Sequence, residues 1–140
     1  MAGIRRFEDL ISWQAARTLA RMVYQLTKGE AFEADRDLRW QLRSSAVSPM
    51  SNIAEAFGRY SFEDKRRFLD IALGSCKEVQ SHLYVAIDQG YITRGQFRET
   101  YDQAETVGKL VTGSLASLEN QLTNRRPDRR RSRPGTRQSA

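Results

Sequence analysis

The chain of 140 residues holds one histidine and one cysteine, so metal or nucleophile chemistry has little to build on. His82 follows Glu78 by four residues, an E-x-x-x-H spacing. Di-iron bundles need E-x-x-H on two helices plus two further glutamates, and a second histidine is missing. His82 therefore reads as an ordinary helix histidine, and no metal site is expected. Cys76 falls on the inner face of a helical segment, with no helix N-terminus nearby to lower its pKa. It reads as a small buried hydrophobe. The sequence contains no Gly-rich phosphate loop, zinc-ligand spacing or nucleophile elbow. No catalytic residue and no cofactor are expected, and the protein is not expected to be an enzyme.

The arginines are the stronger signal. The formal net charge is +6. Arg125, Arg126, Arg129, Arg130, Arg131, Arg133 and Arg137, against Asp128 alone, place all of it in residues 125–140. The other residues carry sixteen basic and sixteen acidic side chains, which reads as a neutral body with a basic tail. That tail has two prolines, one glycine and no apolar side chain before Ala140. It cannot bury a core and is expected to be disordered on its own. Arg-rich disordered segments bind nucleic acid by charge. Within the body, Arg36, Arg39 and Arg43 recur along one segment and Lys65, Arg66 and Arg67 open another. Their balancing neighbours Asp35, Asp37, Glu63 and Asp64 favour a solvated face; a basic rim that touches phosphates is the sharper alternative.

Four helical segments must carry these groups. The first is expected from about Leu10 to Lys28. Ser12, Ala15, Ala16, Leu19, Met22, Val23 and Leu26 draw one helix face. Asp9 is the expected N-cap and Gly29 a left-handed C-cap. Trp13, Ala20 and Tyr24 add a second stripe. The second helix is expected from near Asp35 to about Phe57, with Leu38, Leu42, Ala46, Ile53 and Phe57 inward. Pro49 inside it predicts a kink, because proline lacks an N–H and clashes with the carbonyl four residues back. Ser61 caps the third helix, whose inner face is Phe68, Ala72, Cys76, Val79, Leu83 and Ala86, and Gly90 stops it. Gly74 and Ser75 would let a neighbouring backbone approach. Outside, Glu63/Arg67 and Arg66/Asp70 stand at i,i+4. Thr93 and Gln96 form a capping box for the fourth helix. There Phe97, Tyr101, Ala104, Gly108, Val111, Leu115, Leu118 and Leu122 follow at spacings 4, 3, 4, 3, 4, 3, 4, a heptad pattern.

Four helices joined by short turns give an all-α, antiparallel up-down-up-down four-helix bundle over residues 1–124, followed by the tail. The longest apolar run, Leu83 to Ile87, is five residues, against about 20 for a membrane span. The N-terminus meets Glu8 and Asp9 too early for a secretory signal. A cytoplasmic, non-membrane protein is expected. Trp13, Tyr24 and Trp40 exceed what one bundle interior needs, which points to a homo-oligomer interface.

The run from Gln41 to Pro49, followed by NIAEAFGRYS from Asn52 to Ser61, closely resembles the four-helix-bundle family of the 23S ribosomal RNA intervening-sequence proteins. Phe7-x-Asp9-Leu10-x-x-Trp13-x-x-Ala16, Phe68-Leu69-x-Ile71-Ala72-x-Gly74-Ser75 and Gly90-Tyr91-Ile92 match it too. The resemblance spans about residues 4–122. It implies a cytoplasmic homo-oligomer without enzymatic activity, typically a pentameric ring. The accessory protein of diversity-generating retroelements is similar in fold, and such relatives bind a reverse transcriptase and its template RNA. That leaves a retroelement accessory role, with a reverse transcriptase as partner, and a protein-only assembly module as alternatives. The leading expectation is an oligomeric binding or scaffold protein that engages nucleic acid, RNA in preference to DNA. The fingerprint also has a physical reading. Asn52, Glu55 and Arg59 suit a structural polar network, with Ser44 and Ser48 near the turn that Pro49 disturbs.

Overall fold

The computed structural model describes residues 3–125. Four α-helices make up the fold: α1 is Ile11–Leu26, α2 Arg36–Gly58, α3 Phe62–Asp88 and α4 Arg94–Arg125. Short 3-10 turns at Phe7–Asp9 and Glu30–Phe32 precede α1 and α2. Each helix packs on its chain neighbours, and α1 closes the ring against α4. The result is an all-α four-helix bundle.

The core follows the apolar periodicities. Leu19 and Val23 of α1, Leu42 and Ile53 of α2, Val79 and Leu83 of α3, and Val107 and Val111 of α4 are all buried. The α4 heptad is inward, with Thr100 and Val107 widening it. The caps are local. The Asp35 carboxylate accepts from the Leu38 N–H at 3.1 Å and the Ser61 hydroxyl from Asp64 N–H at 3.1 Å. Thr93 and Gln96 make both bonds of their box, at 2.9 and 3.1 Å. Gly90 sits at φ +72°, the left-handed conformation a glycine reaches without Cβ strain.

Five local readings change. Asp9 lies in the first 3-10 turn, and Leu10 stands at the cap of α1 without a side-chain bond. Gly29 is extended, at φ −60° and ψ 148°. The end of α1 is satisfied one step earlier, where the Thr27 hydroxyl donates to the Val23 carbonyl at 2.7 Å. Phe68 is only partly buried, packed on the core with the guanidinium groups of Arg59 and Arg67 over its ring, while the adjacent Leu69 is buried. Gly74 faces open space; the close approach of α2 and α3 is made by Ser75, whose Oγ lies 2.6 Å from Ser48 Oγ. Arg67 pairs with Asp64 at i,i+3, and Arg66 reaches across to Glu119. Around Pro49, α2 is one continuous helix with the proline ring buried.

Candidate nucleic-acid interface

The two basic clusters of the body sit at opposite ends of α2. Arg36, Arg39 and Arg43 occupy its first two turns. Lys65 meets its last turn: the ammonium donates to the Ala56 carbonyl at 3.0 Å and the Phe57 carbonyl at 3.4 Å. This is a C-terminal cap by a cation, which bonds free carbonyls and complements the negative end of the helix dipole. At a rise of about 1.5 Å per residue the two ends are roughly 30 Å apart.

The trio at the start of α3 is engaged within the chain. Lys65 caps α2, Arg66 lies 3.7 Å from Glu119, and Arg67 lies 3.8 Å from Asp64 with its guanidinium over Phe68. These exposed pairs are weak, so the arginines can exchange partners. The Arg66–Glu119 contact also brings the last turns of α4 beside the first turn of α3. The chain therefore leaves α4 at the end that carries Lys65 to Arg67. The side chain of Arg125, and Arg126, Arg129, Arg130, Arg131, Arg133 and Arg137 entirely, lie outside the described residues.

The upper cluster is arranged differently. Arg43 is half-buried: its Nε donates to Thr27 Oγ1 at 2.8 Å and its guanidinium lies 4.5 Å from the Tyr24 ring centre. It ties α2 to α1. Arg36 is exposed and Arg39 partly so. Of the three aromatic residues expected at an oligomer interface, Trp13 is drawn into the protomer, edge-on to Phe7 at 5.2 Å and packed on the core. Tyr24 is 42% exposed beneath Arg43, and Trp40 is 70% exposed.

The expected polar network divides in two. Asn52 donates to the Ser48 carbonyl at 2.9 Å and the Ser48 hydroxyl at 3.0 Å, and Ser48 meets Ser75, whose hydroxyl is 2.9 Å from the Ile71 carbonyl. This part crosses from α2 to α3. Glu55 and Arg59 form a separate exposed pair at 3.3 Å. Sequence reasoning missed Ser75 as the second half of the bridge; only its small polar side chain on an otherwise apolar face marked it.

A cleft of about 490 Å³ opens among all four helices at the tail end, over Leu10, Ile53, Leu69 and Leu118, with Lys65 and Gln121 at its polar side. No carboxylate, histidine or cysteine lines it, so it offers no acid–base pair. No cluster of three metal-ligating side chains occurs among the described residues. Cys76 is buried, and burial pushes its thiol up to about 11. Thiolate, the reactive form, is then roughly a thousandth of the population at pH 8. A disulfide reagent at pH 8 should label Cys76 only after denaturant is added; rapid labelling of the native protein would contradict its packing. Because the folded pKa is raised, this group's contribution to stability is full below about pH 9 and falls as pH rises through about 11.

Helix order, core and caps thus define a four-helix bundle whose two basic clusters on α2 and α3 lie toward opposite ends and whose cleft is lined by no carboxylate, histidine or cysteine. The 23S rRNA-intervening sequence protein family matches residues 8–113, and the chain belongs to that family. Among solved structures, a protein of unknown function from the S23 ribosomal protein family of Bacteroides thetaiotaomicron VPI-5482 is similar, with TM-score 0.68 at 24% identity. The match covers 75% of this chain and 98% of that one, which is a likeness of fold. No curated protein matches the chain. The family match stops at residue 113, twelve residues before the end of α4, so the arginine tail is outside it.

Proposed function

We propose that the protein is a non-enzymatic, homo-oligomeric helical scaffold in the cytoplasm that engages nucleic acid, RNA in preference to DNA, through its basic residues. The observation that carries the reading is charge segregation: the whole net charge of +6 follows Asn124, at the end of α4 that already presents Lys65, Arg66 and Arg67. A polyanion placed there would meet Arg66 and Arg67 of α3 close to where the arginine-rich segment begins. The family takes its name from an intervening sequence of 23S rRNA, a gene location and not a binding activity; the preference for RNA rests on the flexible strand that arginine-rich segments suit. Assembly is supported by apolar side chains left on the outside, Ile11 at 71%, Ile71 at 45% and Val85 at 44% exposure. A pentamer is the ring the family resemblance implies.

Light scattering on the protein alone and with a single-stranded RNA tests this reading. The expected result is a particle of several protomers whose mass rises when RNA is added. A 16.1 kDa particle at micromolar concentration, unchanged by RNA, would overturn both halves.

A further inference from the structure

The neutral body conceals a second division of charge. All six described ion pairs, Arg6–Glu8, Arg59–Glu55, Arg66–Glu119, Arg67–Asp64, Lys77–Glu105 and Arg98–Asp102, lie outside α1 and the first half of α2. Yet α1 contains Arg17 and Arg21 and no carboxylate. The first thirteen residues of α2 contain Arg36, Arg39 and Arg43 against Asp37. None of these five arginines forms a described ion pair. Two lie on aromatic rings instead: Arg17 is 5.7 Å from the Trp13 ring centre and Arg43 is 4.5 Å from that of Tyr24.

Trp40 completes the pattern. It lies two residues from each of the buried Leu38 and Leu42, which places it on the opposite side of α2. Arg36 stands one turn before it and Arg43 one turn after. The hydrogen bond of Arg43 to Thr27 and its contact with the Tyr24 ring tie α2 to α1 edge to edge, which sets Tyr24 and Arg17 of α1 near Arg36, Arg39 and Trp40 of α2; Arg21 instead lines a groove with Gln96 and Glu99 of α4. Exposed rings interleaved with cations that form no described ion pair are the chemistry of a surface that meets phosphates and unpaired bases together.

We propose that the α1–α2 face is a platform for single-stranded RNA, in which Arg17, Arg36 and Arg39 take phosphates while Trp40 and Tyr24 stack bases. The platform rests on the nucleic-acid reading above and adds to it a preference for unpaired strands. A second copy on this face would have to bring carboxylates, for which Glu63, Asp70, Glu78, Asp88 and Glu99 of α3 and α4 form no described ion pair, so a contact between copies is the rival occupant that the particle mass below separates.

The test compares the full chain with Trp40→Ala and with the double variant Arg36→Gln/Arg39→Gln, on a 12-nucleotide oligouridylate and on a 12-base-pair RNA duplex. Trp40 is exposed, so its removal leaves the core intact; helix content and particle mass are measured alongside. Trp40→Ala is expected to bind oligouridylate about 5- to 100-fold more weakly with little change on the duplex. The arginine variant is expected to weaken both. Oligouridylate should quench tryptophan fluorescence in the parent and much less in Trp40→Ala. Unchanged oligouridylate affinity in Trp40→Ala would overturn the platform while leaving nucleic-acid binding at the tail end standing. A fall in particle mass with that variant would assign the face to a contact between copies and overturn it too. No binding of either probe by the full chain would remove the platform together with the reading it rests on.

Discussion

Truncation after Asn124 should make the salt dependence of RNA binding shallower by about 3 to 4 in the slope of log affinity against log salt. Each phosphate neutralised on a single strand contributes about −0.7 to that slope. Seven arginines follow Asn124, and engagement of roughly five of them gives the stated change. The bundle does not depend on them: its core ends with Leu118 on α4, so helix content and particle mass should be unaltered. Sequence preference should also change little, because phosphate contacts position a nucleic acid without reading its bases. Several tails on one particle would raise the effect through multivalency. The check is a salt titration of intact and truncated protein on the same RNA. Equal slopes would move the phosphate contacts onto the bundle itself.

Replacing Phe32 with Ala should cost about 3–5 kcal/mol, the range for removing a buried aromatic side chain from a packed core. Phe32 is 0% exposed in the turn between α1 and α2, and meets Tyr91 edge-on at 5.3 Å. The Tyr91 hydroxyl in turn donates to Asp35, the cap of α2, at 3.1 Å. The ring therefore joins the α1–α2 connection to the α3–α4 connection. Against a total stability of about 5–15 kcal/mol the loss is large, and should lower the melting temperature by roughly 10–20 °C. Thermal melting followed by helix signal measures it. A shift of only a degree or two would show that the cavity collapses or that the turn is not part of the cooperative core.

These two sites differ in how far the sequence disclosed them. The tail is plain in composition, since arginine, proline and glycine without apolar residues need no partner to be recognised. Phe32 is not: a single aromatic in a connection breaks no periodicity, and its burial depends on a second connection 59 residues later. The same contrast runs through the bundle. The heptad of α4, the capping box of Thr93 and Gln96 and the cap of Ser61 were legible because each is a local pattern with a fixed spacing. The end of α1 was not, because Thr27 bonding to Val23 competes with Gly29 for the same role and the spacing suits either. Phe68 and Leu69 are adjacent apolar residues that both reach the core, Leu69 buried and Phe68 partly covered by the guanidinium groups of Arg59 and Arg67, a division that periodicity alone does not show.

The candidate site shows the same limit in its electrostatics. Counting charges along the chain gave a neutral body, which is correct as a sum. The distribution is set by which helices lie side by side. Asp64, Asp102, Glu105 and Glu119 of α3 and α4 pair with cations on their own half, whereas Arg17 and Arg43 of α1 and early α2 lie on aromatic rings. Likewise Lys65 follows the pattern of a solvated basic run, and its role as a cap for α2 arises only because the connection at residues 59–61 folds α3 back over the carbonyls of Ala56 and Phe57.

The central claim is that this bundle engages RNA by charge. Fluorescence anisotropy of a labelled 20-nucleotide single-stranded RNA, titrated with the intact protein at 50 mM and at 200 mM salt, tests it most directly. The account predicts saturable binding at low salt that weakens by about 100-fold at the higher salt, the fall expected when roughly five phosphates are neutralised. No rise in anisotropy at 50 mM salt, or binding indifferent to salt, would contradict it.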